Sequence, residues 1–271
     1  MRKRLSIGAQ NLAIVLVLIV VTFPFVWVFL ASFKPKQEVY AYPPKFIFRP
    51  TFENYTQALI REKFYTHFVD SAVVTVGSTS IALVAGSLVA YGIARHRLGG
   101  TPFRFFLLAM RTLPAIAIVI PVYTMFRELR LLDTYWALVL VYPVYMTPLV
   151  AWIMVGFFRE VPREMEEAAL IDGCSQWGLF WRVVVPVAAP GLVAVAILNF
   201  IGGWNEFLFA LILTSRDIQT TPVAAAGFST NKGILWGEMA AVGVTASIPV
   251  IVFALIVQKR LVRGLTLGAV Q

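Results

Sequence analysis

The sequence predicts an all-α integral membrane protein with six transmembrane helices. Hydrophobic residues make up 59% of the 271 residues and charged residues only 14%, whereas a soluble domain carries about a quarter charged residues. The mean hydropathy is +0.79, and six apolar stretches reach the length of about 20 residues that a helix needs to cross a bilayer. Barrel strands are shorter and alternate in polarity, so the pattern indicates helices.

The six predicted spans follow one another along the chain. The first lies in a stretch without charges between Arg4 and Lys34, which is too long for a signal peptide and predicts a retained helix. Prolines occur in several spans and require packed or solvated helices, because each removes a backbone hydrogen bond. The predicted spans are 12–30, 71–94, 103–126, 133–159, 187–213 and 238–259.

The placement of lysine and arginine predicts the orientation in the membrane. With the N-terminus inside, twelve of these residues fall on cytoplasmic segments and ten outside, and six of those ten lie in one long loop, 34–66. Both termini are then cytoplasmic. The predicted domains are an N-terminal helix with its extracytoplasmic loop (1–66), a five-helix core (67–262) that contains a polar loop at 159–186, and a cytoplasmic tail (263–271).

Charge and motif content exclude several function classes. The net charge of +9 suits anionic lipid headgroups, and the basic residues are too scattered to form a nucleic-acid-binding face. A single cysteine excludes an internal disulfide, and two distant histidines argue against a metal centre. No convergent set of catalytic groups is visible in the spans, and the chain has no phosphate-binding Gly-x-x-x-x-Gly-Lys-Ser/Thr motif. We therefore expect a non-catalytic protein.

The polar loop between the fourth and fifth spans predicts two short helices joined at Gly173. Pro162 suits the first position of a helix, and acidic residues in the first turns favour its N-terminus. Gly173 can adopt the left-handed turn that ends a helix, and Ser175 can cap the next one. The second helix carries an aromatic face that includes Phe180, and Pro186 redirects the chain into the fifth span.

The composition of this loop favours docking to a soluble partner. Met165, Ala168, Ala169 and Asp172 share one face of the first helix, where small side chains permit close approach. Acids surround this face and can pair with arginines of a partner. The alternative is an amphipathic helix lying on lipid, but such helices are usually basic on their polar face, and this one is acidic.

The same residues resemble a known motif. Glu167-Ala168-Ala169, followed after three residues by Gly173 and after nine more by Val183-x-Val185-Pro186, is similar to the EAA motif of importer permeases in the ABC superfamily. Flanking segments extend the resemblance from about residue 25 to residue 271, and they indicate a maltose-transporter-like sugar permease. The resemblance implies a type I (MetI-like) importer fold with cytoplasmic coupling helices.

The resemblance also implies partners and roles. The chain would pair with a second homologous permease, two cytoplasmic ATPase subunits that bind ATP and Mg, and an extracytoplasmic solute-binding protein, which the loop 214–238 would face. A di- or oligosaccharide is the expected substrate, with a glycerol phosphate or polyol as the alternative and a secondary carrier or channel as a remote one. The residues expected to couple to the ATPases are Glu164, Glu166, Glu167, Ala168, Ala169, Asp172, Gly173, Phe180 and Pro186.

Polar residues inside the spans are candidates for the solute path, because such groups are costly in a membrane. On the fifth span Asn199 and Glu206 share a face, Asn205 lies beside it, and Trp204 could stack on a sugar ring. Glu206 could equally be an interfacial carboxylate. Tyr142 and Tyr145 on the fourth span either line the path or satisfy a kinked backbone. Arg111 on the third span could extend to the interface or pair with an acid.

Overall fold

The computed structural model describes residues 2–230 and 233–267, with side chains except at 2–9, 101, 104, 108 and 256–267. Apart from one short hairpin, the regular structure is helical. It comprises α1 (Arg2–Ser32), α2 (Lys36–Val39), α3 (Glu53–Tyr55), a π-helical turn (Thr56–Arg61), α4 (Tyr65–His96), α5 (Gly100–Thr112), α6 (Ala115–Glu128), α7 (Tyr135–Glu160), α8 (Arg163–Ile171), α9 (Gln176–Leu179), a second π-helical turn (Phe180–Val184), α10 (Val185–Val187), α11 (Ala189–Trp204), α12 (Leu208–Leu213), α13 (Thr221–Ala226), β1 (Ser229–Thr230), β2 (Gly233–Ile234) and α14 (Trp236–Leu267).

The chain forms two compact units. The first combines the segment up to Thr66 with Ala224–Ile248, and the second combines His67–Val223 with the segment from Pro249 onward. The predicted domain limits after residues 66 and 262 stay predictions. Of the predicted tail at 263–271, residues 268–271 lie outside the described part of the chain.

Buried polar contacts organise the first unit around the end of α1. Asn54 is fully buried and donates to the carbonyl of Lys34 at 2.8 Å. The Lys34 ammonium lies 4.1 Å from the ring centroid of Trp27, and burial lowers the pKa of Lys34 despite the opposing charge of Glu38. By contrast, most apolar side chains between Leu12 and Phe29 on α1 are exposed, and the apolar stretch of this helix is not buried within the chain.

Helix α7 supplies much of the core of the second unit and packs against α5, α11 and α12. A stripe of small residues at every fourth position of α4 is buried and comprises Ser78, Ala82, Gly86 and Ala90. A Cβ added to Gly86 would lie 2.4 Å from Cβ of Val150 on α7. The stripe is therefore a close contact between helices, as small residues in membrane helices commonly are.

Within the described residues, four helices are long and apolar enough to cross a membrane, and the number is six if each of two bent pairs is one span. The single helices are Gln10–Ser32, Tyr65–His96, Tyr135–Glu160 and Trp236–Leu255, which correspond to the predicted first, second, fourth and sixth spans. The bent pairs are Phe105–Thr112 with Ala115–Glu128 and Gln176–Val187 with Ala189–Trp204. The prediction of an all-α, six-span membrane fold is thus confirmed, with two spans that are not straight.

The third span differs from the single helix expected at 103–126. It bends by 86° between α5 and α6, where Leu113 and Pro114 are extended. Proline disfavours helical backbone in the preceding residue and lacks an N–H for the helix hydrogen bonds. The break therefore has a local cause in the sequence.

The fifth span also differs from the continuous helix expected at 187–213. The chain turns by 79° between α10 and α11, two residues after Pro186, which agrees with the predicted redirection. Helix α11 then ends at Trp204, and α12 begins only at Leu208. Polar side chains in this second break provide hydrogen bonds that let both helices end here.

Asp133, just before α7, fixes the segment that follows α12. Its carboxylate accepts hydrogen bonds from the N–H groups of Ser215, Arg216 and Asp217 at 2.8, 3.0 and 3.2 Å, and from the Ser215 hydroxyl at 2.7 Å. Desolvation raises the pKa of Asp133, but these hydrogen bonds outweigh it and hold the pKa well below its usual range. The carboxylate therefore remains ionised and ties the segment to the start of α7.

Candidate functional site

Helix α8 ends in a glycine-dependent turn, as predicted. The N–H of Gly173 donates to the carbonyl of Leu170 at 3.1 Å, and the N–H of Cys174 donates to that of Ala169 at 2.9 Å. This pair of bonds is the Schellman arrangement, which requires a left-handed residue after the helix. Gly173 has φ +84°, and an added Cβ would meet nothing within 4 Å. Backbone strain, not space, restricts the residue at this position.

One side of α8 is open to solvent. Glu164, Glu167, Ala168 and Asp172 are exposed, while Ala169 is half-buried. Apolar side chains accompany them, and Ile171 is 86% exposed. The exposed Ile171 offers apolar contact area, and the acids beside it can pair with basic groups of a partner protein.

Glu166 does not lie beside the exposed face, although the sequence predicted that Glu164, Glu166 and Glu167 would all surround it. It is only 8% exposed, because its carboxylate accepts hydrogen bonds from Arg95 at 2.6 Å and from the Tyr91 hydroxyl at 3.0 Å. Both partners lie on α4, and they turn the side chain into the protein. The structure therefore separates Glu166 from Glu164 and Glu167.

The second helix of the loop begins as predicted but divides its aromatic residues. The Ser175 hydroxyl accepts from the N–H of Gly178 at 3.1 Å and caps α9. Phe180 is buried, with its ring centroid 5.2 Å from that of Tyr91, whereas Trp177 and Trp181 are 64% and 44% exposed. Only part of the predicted aromatic face anchors the loop to the helices.

A second cluster surrounds a cavity of about 330 Å³ in the second unit. Arg111, Tyr145 and Glu206 contribute the polar groups of its lining, and the other lining residues are mostly apolar. The ring of Tyr145 stacks on that of Phe209, with centroids 5.9 Å apart. The ring centroid of Tyr142 also lies 5.9 Å from that of Tyr145. Few polar groups in a mainly apolar cavity are typical of small-molecule sites.

The two tyrosine hydroxyls in this cluster lack hydrogen-bond partners of normal geometry among the described residues. Both nevertheless interact electrostatically with the carboxylate of Glu206. Buried hydroxyls normally find a partner, so the hydroxyl of Tyr145, which lines the cavity, is available to another molecule. The hydroxyl of Tyr142 is fully buried beside Glu206.

Glu206 also has a structural role that neither sequence interpretation included. Its carboxylate accepts the N–H groups of Phe209 and Ala210 at 2.9 and 3.2 Å and caps α12. Asn205 caps the preceding helix, since its amide donates to the carbonyl of Ile201 at 2.8 Å. These two side chains stabilise the break in the fifth span.

The remaining solute-path candidates lie apart from the cavity lining. Trp204 is 4% exposed and stacks on Phe200, with ring centroids 5.7 Å apart. Asn199 is 3% exposed, and its amide nitrogen has no hydrogen-bond partner among the described residues. Of the six predicted residues, the structure thus brings Tyr142, Tyr145 and Glu206 together. Within 2–230 and 233–267, it shows no group of histidine, cysteine and acidic side chains that could hold a metal ion.

Residues 82–267, from α4 to α14, match the family described as binding-protein-dependent transport system inner membrane component. The chain belongs to this family. Its members are membrane-embedded transport components, so the prediction of a multi-pass membrane permease without catalytic activity is confirmed. The resemblance seen in the EAA segment is confirmed by the same match.

Curated relatives align with almost the whole of this transport component. The probable ABC transporter permease protein y4oR of Sinorhizobium fredii is 39% identical over 92% of this chain and 90% of its own length. The trehalose transport system permease protein SugB of Mycobacterium tuberculosis is 37% identical over 92% of each chain. The trehalose/maltose transport system permease protein MalG of Thermococcus litoralis is 33% identical over 100% of this chain and 97% of its own.

Solved structures share the fold of this transport component. A chain of a bacterial ABC transporter involved in the import of the acidic polysaccharide alginate has a TM-score of 0.75 at 23% identity, covering 96% of this chain and 98% of that one. A chain of the MetNI methionine ABC transporter in an inward-facing conformation has a TM-score of 0.58 at 18% identity, over 77% and 97%. The predicted MetI-like importer fold is therefore confirmed.

Several residues of the two clusters were not singled out as site residues by the sequence. Arg95 and Tyr91 carry a usable signal, because they lie four residues apart on α4 and so on one face of the helix. Arg111 was noted without an assigned role, and the structure places it in the lining of the cavity that holds Glu206. Arg111 and Glu206 are far apart in the sequence, so no sequence pattern indicated that they line one cavity.

Proposed function

We propose that the chain is a permease subunit of an ATP-driven ABC importer that carries a di- or oligosaccharide across the cytoplasmic membrane. The family describes a membrane component of binding-protein-dependent transport, and relatives that align over the full chain carry trehalose and trehalose/maltose in their names. The hydroxyl-rich class of substrate also suits a cavity whose polar groups are the hydroxyl of Tyr145, the carboxylate of Glu206 and the guanidinium of Arg111.

The assembly that we propose contains three kinds of protein partner. A second homologous permease completes the pathway, two cytoplasmic ATPase subunits bind ATP and Mg, and an extracytoplasmic binding protein delivers the sugar to the 214–238 side. Both termini and the 159–186 loop face the cytoplasm. Since the chain has no phosphate-binding motif of its own, nucleotide chemistry belongs to the ATPase subunits.

One observation supports the coupling role above all others: the acids Glu164, Glu167 and Asp172 are exposed on α8 and its C-terminal cap together with Ala168 and Ile171. In this proposal Glu164, Glu167, Ala168, Ala169 and Asp172 enter the ATPase cleft. Gly173 shapes the end of the helix, and the segment through Phe180 and Pro186 carries its movement into α11.

The test is charge reversal at the exposed acid of the motif. In proteoliposomes that hold the whole transporter, Glu167→Lys is expected to lower sugar uptake per ATP hydrolysed by about tenfold or more, because like charges would then oppose a partner's arginines. Glu160→Lys, an exposed acid at the end of α7, is the matched control. Normal coupling by Glu167→Lys in the assembled complex would refute the coupling role.

Substrate class is tested separately with the binding protein present. Trehalose, maltose, longer oligosaccharides, glycerol 3-phosphate and a polyol should be compared for stimulation of ATP hydrolysis and for uptake. We expect a di- or oligosaccharide to be carried. Stimulation by glycerol 3-phosphate or the polyol alone would replace the sugar assignment while leaving the coupling mechanism intact.

A further inference from the structure

Arg95 joins the C-terminal end of α4 to the start of the coupling loop. Its Nε donates to Oε1 of Glu166 at 2.6 Å, and its Nη2 donates to the carbonyl of Val161 at 2.5 Å. The side chains of Arg95 and Glu166 are only 9% and 11% exposed. A single guanidinium therefore holds both the residue that follows α7 and the first turn of α8.

Tyr91 strengthens the same connection from one helical turn earlier. Its hydroxyl donates to Oε2 of Glu166 at 3.0 Å, so that α4 binds both oxygens of the carboxylate. Its ring contacts Phe158 and Phe180, with centroids 5.9 and 5.2 Å away. The end of α4 is thus bonded to α8 and packed against the segments on either side of it.

This connection differs in kind from the other links of α8. Helix α8 follows α7 directly and leads into α9 through residues 172–175, so movements pass to these neighbours through the backbone. Arg95 lies 66 residues from Val161, and α4 has no such covalent path. Separating a buried ion pair leaves unpaired charges in a weakly polar environment. Sliding of α8 relative to α4 is therefore strongly opposed.

We propose that Arg95 is a positioning residue that makes α4 the receiving helix of the coupling loop, so that a displacement of Glu166 in α8 displaces the C-terminal turns of α4. This inference rests on the proposed function, because the ATPase subunits are the source of the displacement. Helix α4 carries the movement into the bundle along its close contact with α7 at Gly86. The ion pair acts on coupling without touching nucleotide or sugar.

The experiment measures amide hydrogen exchange in the complete transporter in nanodiscs, with and without a non-hydrolysable ATP analogue and Mg²⁺. In the unaltered protein we expect the nucleotide to change exchange in both 163–171 and 88–96. The double variant Arg95→Met/Glu166→Met removes both charges and so leaves neither unpaired. It should keep the response at 163–171 but reduce that at 88–96 by about fivefold, with uptake per ATP down about tenfold.

Matched controls come from exposed charges next to the loop. Arg159→Met/Glu160→Gln removes one base and one acid at the end of α7, both of which are exposed. Both exchange responses should remain at the level of the unaltered protein. Tyr91→Phe deletes one hydrogen bond to Glu166 and keeps the ring contacts, so it should reduce the response at 88–96 by about twofold.

The outcomes separate the two proposals. An unaltered complex in which nucleotide leaves 163–171 unchanged would refute the proposed function itself. A response at 88–96 that persists undiminished in Arg95→Met/Glu166→Met would overturn the role of Arg95 alone. If that variant does not assemble, Tyr91→Phe decides, and an undiminished response there also overturns the inference.

Discussion

Gly173 determines how α8 ends, and its role can be tested by one methyl group. Its φ of +84° costs an alanine about 1 kcal/mol or more, although the added Cβ would meet no atom within 4 Å. Gly173→Ala should therefore lower the thermal midpoint of the purified complex slightly and reduce uptake per ATP more clearly. The measurements are thermal unfolding and paired uptake and ATPase assays.

The control for this prediction is Gly243→Ala in α14. An added Cβ there also meets nothing within 4 Å, but no positive φ opposes it, and alanine is favoured over glycine inside helices. We expect unchanged or slightly raised stability and normal coupling. Equal losses in both variants would show that the left-handed turn is unimportant.

Glu206 combines two roles that a single substitution can distinguish. Glutamine offers one acceptor oxygen where the carboxylate offers two to the N–H groups of Phe209 and Ala210. Glu206→Gln should therefore weaken the cap of α12 by about 1 kcal/mol and also lower uptake, because a cavity-lining charge is lost. Thermal unfolding and the sugar dependence of initial uptake rates measure the two effects.

Asn205→Ala provides the comparison. It removes the cap at the end of α11, but Asn205 does not line the cavity. The loss of stability should be similar to that of Glu206→Gln and the loss of uptake smaller. If uptake falls equally in the two variants, the loss of a helix cap at the break in the fifth span explains both decreases.

Among the elements, α4 and α7 form a close contact that leaves no room for a larger residue at Gly86. A Cβ on Gly86 would lie 2.4 Å from Cβ of Val150 and 3.0 Å from the carbonyl oxygen of Thr147, so relief requires movement of backbone. Gly86→Ala should destabilise the protein by about 1–3 kcal/mol, as overpacking does. Thermal unfolding in detergent measures it. Gly156→Ala on α7 should be neutral, because a Cβ added there would meet no atom within 4 Å. Equal thermal midpoints of the two variants would contradict the close contact at Gly86.

Sequence patterns predicted the elements better than their interruptions. Apolar length alone placed all six spans, and Gly173 and Ser175 correctly marked the end of α8 and the start of α9. The first break was missed because Leu113 and Pro114 continue an apolar stretch, and the second because Asn205 and Glu206 interrupt an otherwise apolar stretch at only two positions. In both places the local chemistry of Pro114 or Glu206, and not hydrophobicity, decides where a helix stops.

Residue partners were the least predictable feature, for a physical reason. The acidic positions 164, 166 and 167 have the same local pattern, yet only Glu166 is turned inward, by Arg95 on a distant helix. Likewise, Arg111 and Glu206 reach one cavity through the folding of two bent spans. Such contacts depend on tertiary packing, which periodicity and composition do not predict.

At the scale of the molecule, Asp133 predicts a pH dependence at the end of the bundle expected to face outside. Its folded pKa lies below the unfolded value of about 4, so its contribution to stability is fully present above that pH. It is lost as the pH falls towards the folded pKa. The protection of the amides of 215–218 from hydrogen exchange, relative to their intrinsic rates, should therefore be insensitive to this group between pH 5 and about 8 and should fall only in stronger acid.

Asp133→Asn should remove this behaviour. An amide replaces one acceptor oxygen by a donor that opposes the N–H groups of 215–218, and we expect a local loss of about 1–3 kcal/mol at neutral pH. Asp217→Asn, whose side chain is exposed, should behave like the unaltered protein. Slow exchange at 215–218 in Asp133→Asn would contradict the assigned role.

The unmet hydrogen bonds of Thr75 and Asn199 have a consequence for how the second unit can move. Arg95 bonds the end of α4 to α8, and Asp133 bonds the start of α7 to the segment after α12. The buried hydroxyl of Thr75 on α4 and the buried amide nitrogen of Asn199 on α11 have no hydrogen-bond partner among the described residues. A small rotation of α4 or α11 would therefore break no side-chain hydrogen bond of these two residues, while the connections at Arg95 and Asp133 stay intact.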